Sequence, residues 1–165
     1  MEFDLQEYKS AWKLDETVHH CNHGSFGSVP TVVQEAQRAI QDRVQLNPVR
    51  FFAREAMLEV QGARAKVAAF LNQKPEQIAL VRNTTEAAST TMRGFPFKPG
   101  DEAIVLDHEY GAVIYAVQRA VENAGGKLVE VPVPRLATDE EVVAIVKASF
   151  TPRTRLFVVD HVTSA

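Results

Sequence analysis

Four short runs of β-branched and aliphatic residues constrain this chain more than any other feature. They are IALV at 78–81, AIVL at 103–106, KLVEV at 127–131 and RLFVV at 155–159. Strands read as near-continuous apolar runs when both faces of their sheet are covered. Helical patterns fill the intervals, at about 85–94, 110–124 and 139–149. The last opens with Thr138-Asp139-Glu140-Glu141, the residues of a capping box, in which threonine and glutamate each satisfy the other's backbone N–H. FKPGD at 97–101 and NAGG at 123–126 supply turns. Strand alternating with helix predicts right-handed βαβ crossovers and a mostly parallel sheet, an α/β fold.

The first half has a different period. Residues 1–20 suggest a short helix and an extended lead-in, followed by an irregular loop, CNHGSFGSVP, at 21–30. From Thr31 to about Leu46, Val33, Ala36, Ile40 and Val44 recur at steps of three and four, which places them on one helix face. Asn47-Pro48 breaks that helix, because a residue before proline is pushed out of the helical region. A second helix is expected from about Phe51 to Leu71, with Met57, Val60, Val67 and Leu71 as candidates for burial. DHVTSA follows the fourth apolar run directly, so the pattern reads as an α/β domain cut in mid-sheet.

Composition narrows the function classes. The formal net charge of -3 and pI near 6.0 do not suit a generally basic nucleic-acid surface. A single cysteine, Cys21, rules out an intrachain disulfide framework and a cysteine-rich zinc site. His19, His20, Cys21 and His23 crowd together, but adjacent residues seldom converge on one ion and neither HExxH nor a paired CxxC occurs; no metal site is expected. There is no apolar stretch of membrane-spanning length and no secretory leader pattern, so the expected setting is cytoplasmic. GxGxxG, GxxxxGK[ST] and GxSxG are all absent, which removes the main support for dinucleotide, P-loop and serine-hydrolase readings.

In parallel sheets ligands bind beyond the carboxyl ends of the strands. Arg82-Asn83-Thr84-Thr85-Glu86 follows the first run and opens a helix, where free N–H groups and the helix dipole favour an anion. Plain N-capping by Asn83 or Thr84 explains the same residues and is compatible with anion binding. Asp107-His108-Glu109-Tyr110-Gly111 follows the second run. Here Tyr110 offers a ring that could stack on a flat heterocycle; alternatively His108 and Glu109 are surface residues and Tyr110 half-fills a crevice. Asp160-His161-Val162-Thr163-Ser164 follows the fourth run, as a source of polar contacts or as a self-satisfied turn. Three strand ends bearing polar or aromatic groups together favour a ligand site.

These segments, in this order, resemble the class V aminotransferases, pyridoxal-phosphate (PLP) enzymes of fold type I. The similarity is greatest to the branch that holds isopenicillin N epimerase-like proteins and hercynylcysteine sulfoxide lyases. CNHGSFGSVP resembles that branch's substrate-side loop, NPVRFF its following helix entry, VRNTTEA the phosphate-gripping segment and LDHEYGA the cofactor-stacking segment. VVDHVTSA resembles the strand end before the remaining cofactor residues. The resemblance spans about residues 15–165. It implies an N-terminal arm at 1–30 and part of the large domain of a PLP-dependent transferase at 31–165. It also implies that Thr84 and Thr85 hold the PLP phosphate, that Tyr110 stacks on the ring and that Ser164 lies near the ring hydroxyl. Related desulfurases place histidine at the Tyr110 position and asparagine at the Ser164 position. Asn22 and His23 would face an amino-acid substrate.

The same resemblance implies what the chain lacks. The family's aspartate for the pyridinium nitrogen and its cofactor-bonding lysine lie in later segments, so no catalytic residue is expected within these 165 residues. The expected function is the N-terminal part of a PLP enzyme, an epimerase, C–S lyase or aminotransferase, inactive as this chain alone. The full-length form is expected to be a homodimer without nucleic-acid or membrane partners. The alternative from another class is a non-catalytic α/β binding or dimer-partner module.

Overall fold

The structure is a computed structural model that describes residues 9–163. It divides into two units, Met1–Ala79 and Leu80–Ala165. The second contains a three-stranded parallel sheet. Its strands are β1 (Glu102–Leu106), β2 (Lys127–Val131) and β3 (Thr154–Val158), in the spatial order β2-β1-β3. Against β2 the register runs without a break from Glu102↔Lys127 to Leu106↔Val131. Against β3 it shifts after Glu102↔Thr154, because Ala103 pairs with Leu156 and Arg155 is left over as a bulge.

Side-chain alternation along β1 builds two cores. Ala103 and Val105 face one side of the sheet, with Leu128, Leu156 and Val158 from its neighbours. This side is covered by Val113, Val117 and Val121 of one helix (Gly111–Asn123) and by Met92 of another (Thr84–Gly94). Ile104 and Leu106 face the opposite side with Val129, Val131 and Phe157. There Val142, Ile145 and Val146 of the helix Asp139–Ser149 close the layer. All five residues of β1 are buried. The four apolar residues, Ala103 to Leu106, suit that enclosure, since a polar side chain there would need a partner to replace water.

The connections are built for their length. The capping box at Thr138 is present, with Glu141 N–H donating to Thr138 Oγ1 and Thr138 N–H donating to Glu141 Oε2 at 2.8 Å. Gly100 and Gly125 adopt φ of 86° and 78° and are bridged by Gly100 N–H to Gly125 O at 2.9 Å. Gly126 is required for a different reason, because a Cβ there would stand 2.4 Å from Asp101 O.

The first unit is helical. We number the helices α1 (Thr31–Leu46), α2 (Pro48–Arg50), α3 (Ala56–Phe70), α4 (Thr84–Gly94), α5 (Gly111–Asn123) and α6 (Asp139–Ser149); α1–α3 belong to this unit. Asn47 ends α1 and caps α2, its side chain accepting from Arg50 N–H at 3.0 Å, with Pro48 at the first helical position. A π-helical turn, Phe51–Glu55, joins α2 to α3. It gathers charge: Arg43 reaches Glu55 at 2.9 Å and Glu59 at 3.0 Å, and Arg50 reaches Glu55 at 2.7 Å. The Arg43 guanidinium lies 5.6 Å from the Phe51 ring centroid.

Two expectations fail. IALV at 78–81 pairs with no strand among the described residues, and Leu80 and Val81 are exposed. An apolar run becomes a strand only when a neighbouring backbone takes its hydrogen bonds. The helix faces also differ from expectation. Met57, Val60, Val67 and Leu71, expected to be buried, are exposed, while Ala68 and Phe51 are buried. The periodicity marks a face able to bury itself and says nothing about what covers it.

Two substitutions test the sheet. Ile104→Ala leaves a cavity in a fully buried layer and lowers the unfolding free energy by about 2–5 kcal/mol. Gly126→Ala forces backbone away from Asp101 O and costs about 1–3 kcal/mol. Urea titration followed by circular dichroism measures both; an Ile104→Ala chain as stable as the parent would contradict the two-layer core.

Candidate functional site

The carboxyl ends of β1 and β3 and the N-termini of α4 and α5 bring polar groups to one edge of the sheet. A parallel βαβ unit sets the start of α5 at the carboxyl end of β1. Helix α4 is oriented the same way. Its later residues Ser89 and Arg93 line one groove with Ala116, Ala120 and Asn123 from the later half of α5, so the two N-termini lie toward the same edge.

At the start of α4, Asn83 is the N-cap and its Oδ1 accepts from Glu86 N–H at 2.9 Å. Glu86 turns back to Arg82, accepting from its backbone N–H at 2.9 Å and pairing with its guanidinium at 3.1 Å. Those bonds hold the Glu86 carboxyl below its ordinary range, the Arg82 side chain first and its backbone N–H second. Thr84 and Thr85 occupy the first two helical positions and are exposed. A first turn leaves its N–H groups without intrahelical partners. These two residues therefore present backbone donors, hydroxyls and the positive end of the helix dipole outward.

The loop leaving β1 is fastened at several points. Asp107 N–H donates to Val131 O at 3.1 Å, and Val133 N–H donates to Asp107 Oδ1 at 3.0 Å, which ties this loop to the one leaving β2. His108 Nε2 stands 3.5 Å from Asp107 Oδ1. Glu109 N–H returns to Leu106 O at 3.1 Å. Tyr110 is the N-cap residue of α5 with an extended backbone, and the residue is 52% exposed. Its carbonyl accepts from the N–H groups of Val113 and Ile114, so its backbone is held while its ring stays open.

Glu109 departs most from its expected place. Sequence reasoning allowed it to be a surface residue, but it is only 7% exposed. Its Oε1 accepts from Tyr110 N–H at 3.1 Å, and its Oε2 is buried with no hydrogen-bond donor. Burial first, and the facing carboxyl of Asp160 second, push its pKa up to about 7. Asp160, half-buried, arrives from the end of β3. Asp160 directly follows the run at 155–159, and Glu109 stands three residues past the run at 103–106. Nothing in the sequence says that β3 lies beside β1, so their meeting could not be read there.

Asn22 and His23 belong to the first unit. Asn22 Oδ1 accepts from Ser25 N–H at 3.1 Å and its carbonyl accepts from Phe26 N–H, closing a tight turn. The His23 ring packs edge-on against His20 at 4.4 Å and lies 6.1 Å from Trp12. Ser164 lies outside the described residues.

Comparisons with known proteins point one way. The family model described as aminotransferase class-V matches residues 27–165. Isopenicillin N epimerase of Streptomyces clavuligerus is 29% identical over 98% of this chain and 41% of its own length. A putative L-cysteine desulfhydrase of Oryza sativa is 30% identical over 89% of this chain and 34% of its own. The chain thus spans well under half the length of the curated relatives it matches. Among solved structures, the cystine C–S lyase C-DES bound to cysteine persulfide superposes with a TM-score of 0.79 at 26% identity, covering 87% of this chain and 38% of that one. A variant of the same lyase with glycine covalently linked to its PLP cofactor gives 0.76 over the same shares.

Two outcomes follow from the local geometry. Asn83→Ala removes the cap of α4 and costs about 1 kcal/mol of stability, measured by urea titration. For Glu109 the folded-state pKa is raised, so the folded chain binds the extra proton. That contribution is complete below about pH 4.5 and is lost as pH rises through about 7. Glu109→Gln, neutral at every pH, should therefore flatten the fall in melting temperature between pH 5 and 8; an unchanged slope would show that another group causes it.

Proposed function

This chain belongs to the class V aminotransferase family, and from that premise we propose that it forms the part of a PLP enzyme that grips the cofactor phosphate and covers its ring. What supports the reading is the open start of α4 at Thr84-Thr85, on a helix that lines one groove with α5, together with the exposed Tyr110 at the start of α5. The donor set suits the group. A phosphate needs several N–H and O–H donors and little bulk, and the start of α4 provides them. A pyridine ring needs a flat apolar neighbour, which Tyr110 provides.

When bound, PLP supplies an electron sink for bonds at the α-carbon of an amino acid. The chain's own residues have simpler tasks. Thr84 and Thr85 bind the phosphate through hydroxyls and backbone N–H groups. Tyr110 fixes the plane of the ring and excludes water from one of its faces. As a phenol in place of an imidazole, it stacks on the ring without taking over the histidine's acid–base role. By the family resemblance Ser164 is assigned to the ring hydroxyl, and Asn22 and His23 are assigned to the amino-acid substrate. Arm and substrate-side loop at 1–30, and partial large domain at 31–165, are the divisions this reading assigns.

The complete protein on this reading is a cytoplasmic homodimer that acts on an amino acid or its derivative. Relatives named for isopenicillin N epimerisation and cysteine desulfhydration support that substrate class. Epimerisation, C–S cleavage and transamination all begin at the same carbon. None of the described lysines, at 9, 13, 66, 74, 98, 127 and 147, follows a strand's carboxyl end. The chain by itself should therefore bind the cofactor without turnover.

The test is PLP affinity of the 165-residue chain, followed by absorbance titration. Thr85→Ala should weaken binding by about tenfold or more, the worth of one hydrogen bond to a charged group. Asn83→Ala, which removes only the cap, should change it less. Equal affinity of Thr85→Ala and the parent would refute the phosphate assignment.

A further inference from the structure

The first unit contains a groove that the cofactor reading leaves without a use. Lys9, Trp12, Asp15, Glu16, His19 and His23 line it, and its volume is about 670 Å³. A volume of that order suits a small molecule. One wall is aromatic and fixed in place. The Trp12 indole N–H donates to Ser28 O at 3.1 Å, and Thr31 N–H donates to Ala11 O at 2.8 Å, so residues 11–12 are tied to the far end of the loop at 21–30. That bond uses the only polar atom of the indole, and what remains is its π surface. The His23 ring lies 6.1 Å from the indole. His20 packs edge-on against His23 at 4.4 Å, with its Nε2 3.1 Å from Phe26 O.

The charges of the groove favour one kind of ligand. Asp15 Oδ1 accepts from Thr17 N–H at 2.9 Å and from the Thr17 hydroxyl at 2.6 Å. The hydroxyl first and the backbone N–H second hold this carboxyl below its ordinary range, so it stays ionised at neutral pH. Among the described residues no donor reaches its Oδ2, and neither Glu16 nor Lys9 has an ion-pair partner. Two carboxylates thus stand against the ammonium of Lys9. On a bare surface they would be ordinary solvated charges. Here they share a groove with an anchored indole, whose π face attracts cations. We propose that this groove binds the positively charged end of a small amine, with the ammonium held between the Trp12 ring and the carboxylates of Asp15 and Glu16.

An alkylammonium group fits both parts of the groove. Its stem packs on the aromatic wall while its charge meets the carboxylates. An anionic ligand would gain only Lys9 and would be repelled by Asp15 and Glu16. Resting on the reading above, in which His23 is assigned to the substrate, the amine is an amino acid with a cationic side chain. Trp12, Asp15 and Glu16 are then specificity-determining residues. Lys9 carries the same charge as the ligand and opposes its binding, which gives the groove a residue whose removal acts in the opposite direction.

Trp12 is the only tryptophan in the chain, so intrinsic fluorescence reports on this groove alone. The 165-residue chain is titrated without PLP, at constant ionic strength, with L-lysine and with L-norleucine, which has the same number of side-chain carbons and no side-chain ammonium. L-Lysine should change the emission saturably and bind about tenfold more tightly than norleucine. The double variant Asp15→Asn, Glu16→Gln keeps an acceptor for Thr17 and should lose most of that preference. Lys9→Ala should strengthen lysine binding about two- to threefold. No emission change with lysine, equal affinity for the two amino acids, or an unaltered preference in the double variant would overturn the cation site. The unmutated titrations decide this even if a variant fails to fold. A lysine response in a chain that does not bind PLP would uphold the cation site and sink the cofactor reading, with the substrate assignment that rests on it. PLP binding without a lysine response would do the reverse.

Discussion

Everything at the candidate site depends on the burial of β1. This strand lies between two others, so its backbone groups are paired on both sides and its side chains are enclosed on both faces. A segment held that way has one position. The loop that leaves its carboxyl end therefore starts from a fixed point, and so does α5, whose first residues continue that loop. Tyr110 can keep an exposed ring because its backbone is secured by α5 behind it and by Glu109 beside it.

The two ends of β1 use buried glutamate in opposite ways. Glu102, at the amino end, is 6% exposed but fully supplied with donors. Thr151 Oγ1 donates at 2.6 Å and Arg153 donates through Nε at 3.0 Å and Nη2 at 2.7 Å. Its carboxyl is held below the ordinary range, by Thr151 first and Arg153 second. Glu109, just past the carboxyl end, has one backbone donor and an acid for a neighbour, and its pKa is pushed up to about 7. One glutamate is a structural ion that clamps β1 to the turn before β3. The other is a carboxyl whose charge depends on conditions, and it stands where parallel sheets bind ligands. Burial and a facing acid raise the one, and a hydroxyl and a guanidinium lower the other.

Much of this was legible in the residues. The three paired strands and the helices between them lie within a residue or two of where the apolar runs and the period of 3.6 put them. The Thr138 capping box, the glycine turns and the end of α1 at Leu46 follow from local chemistry, as does the cap at Asn83. These features depend on contacts a few residues apart, which is why a linear reading can find them. IALV at 78–81 and the apolar stripe of α3 are the counter-cases. Their pattern states a capacity for burial, and only a distant partner could realise it.

By itself the sequence determined an α/β chain with the motif order of a class V aminotransferase, because strand and helix periods, caps and turns are local properties. It also put Thr84, Thr85 and Tyr110 after apolar runs, where a ligand edge was to be expected. The tertiary structure alone decided that β3 packs on the free side of β1 and not outside β2. That choice depends on long-range pairing and on which faces the helices cover, and no spacing records it. It set Asp160 beside Glu109, fifty-one positions away, and so helped raise the pKa of that buried carboxyl.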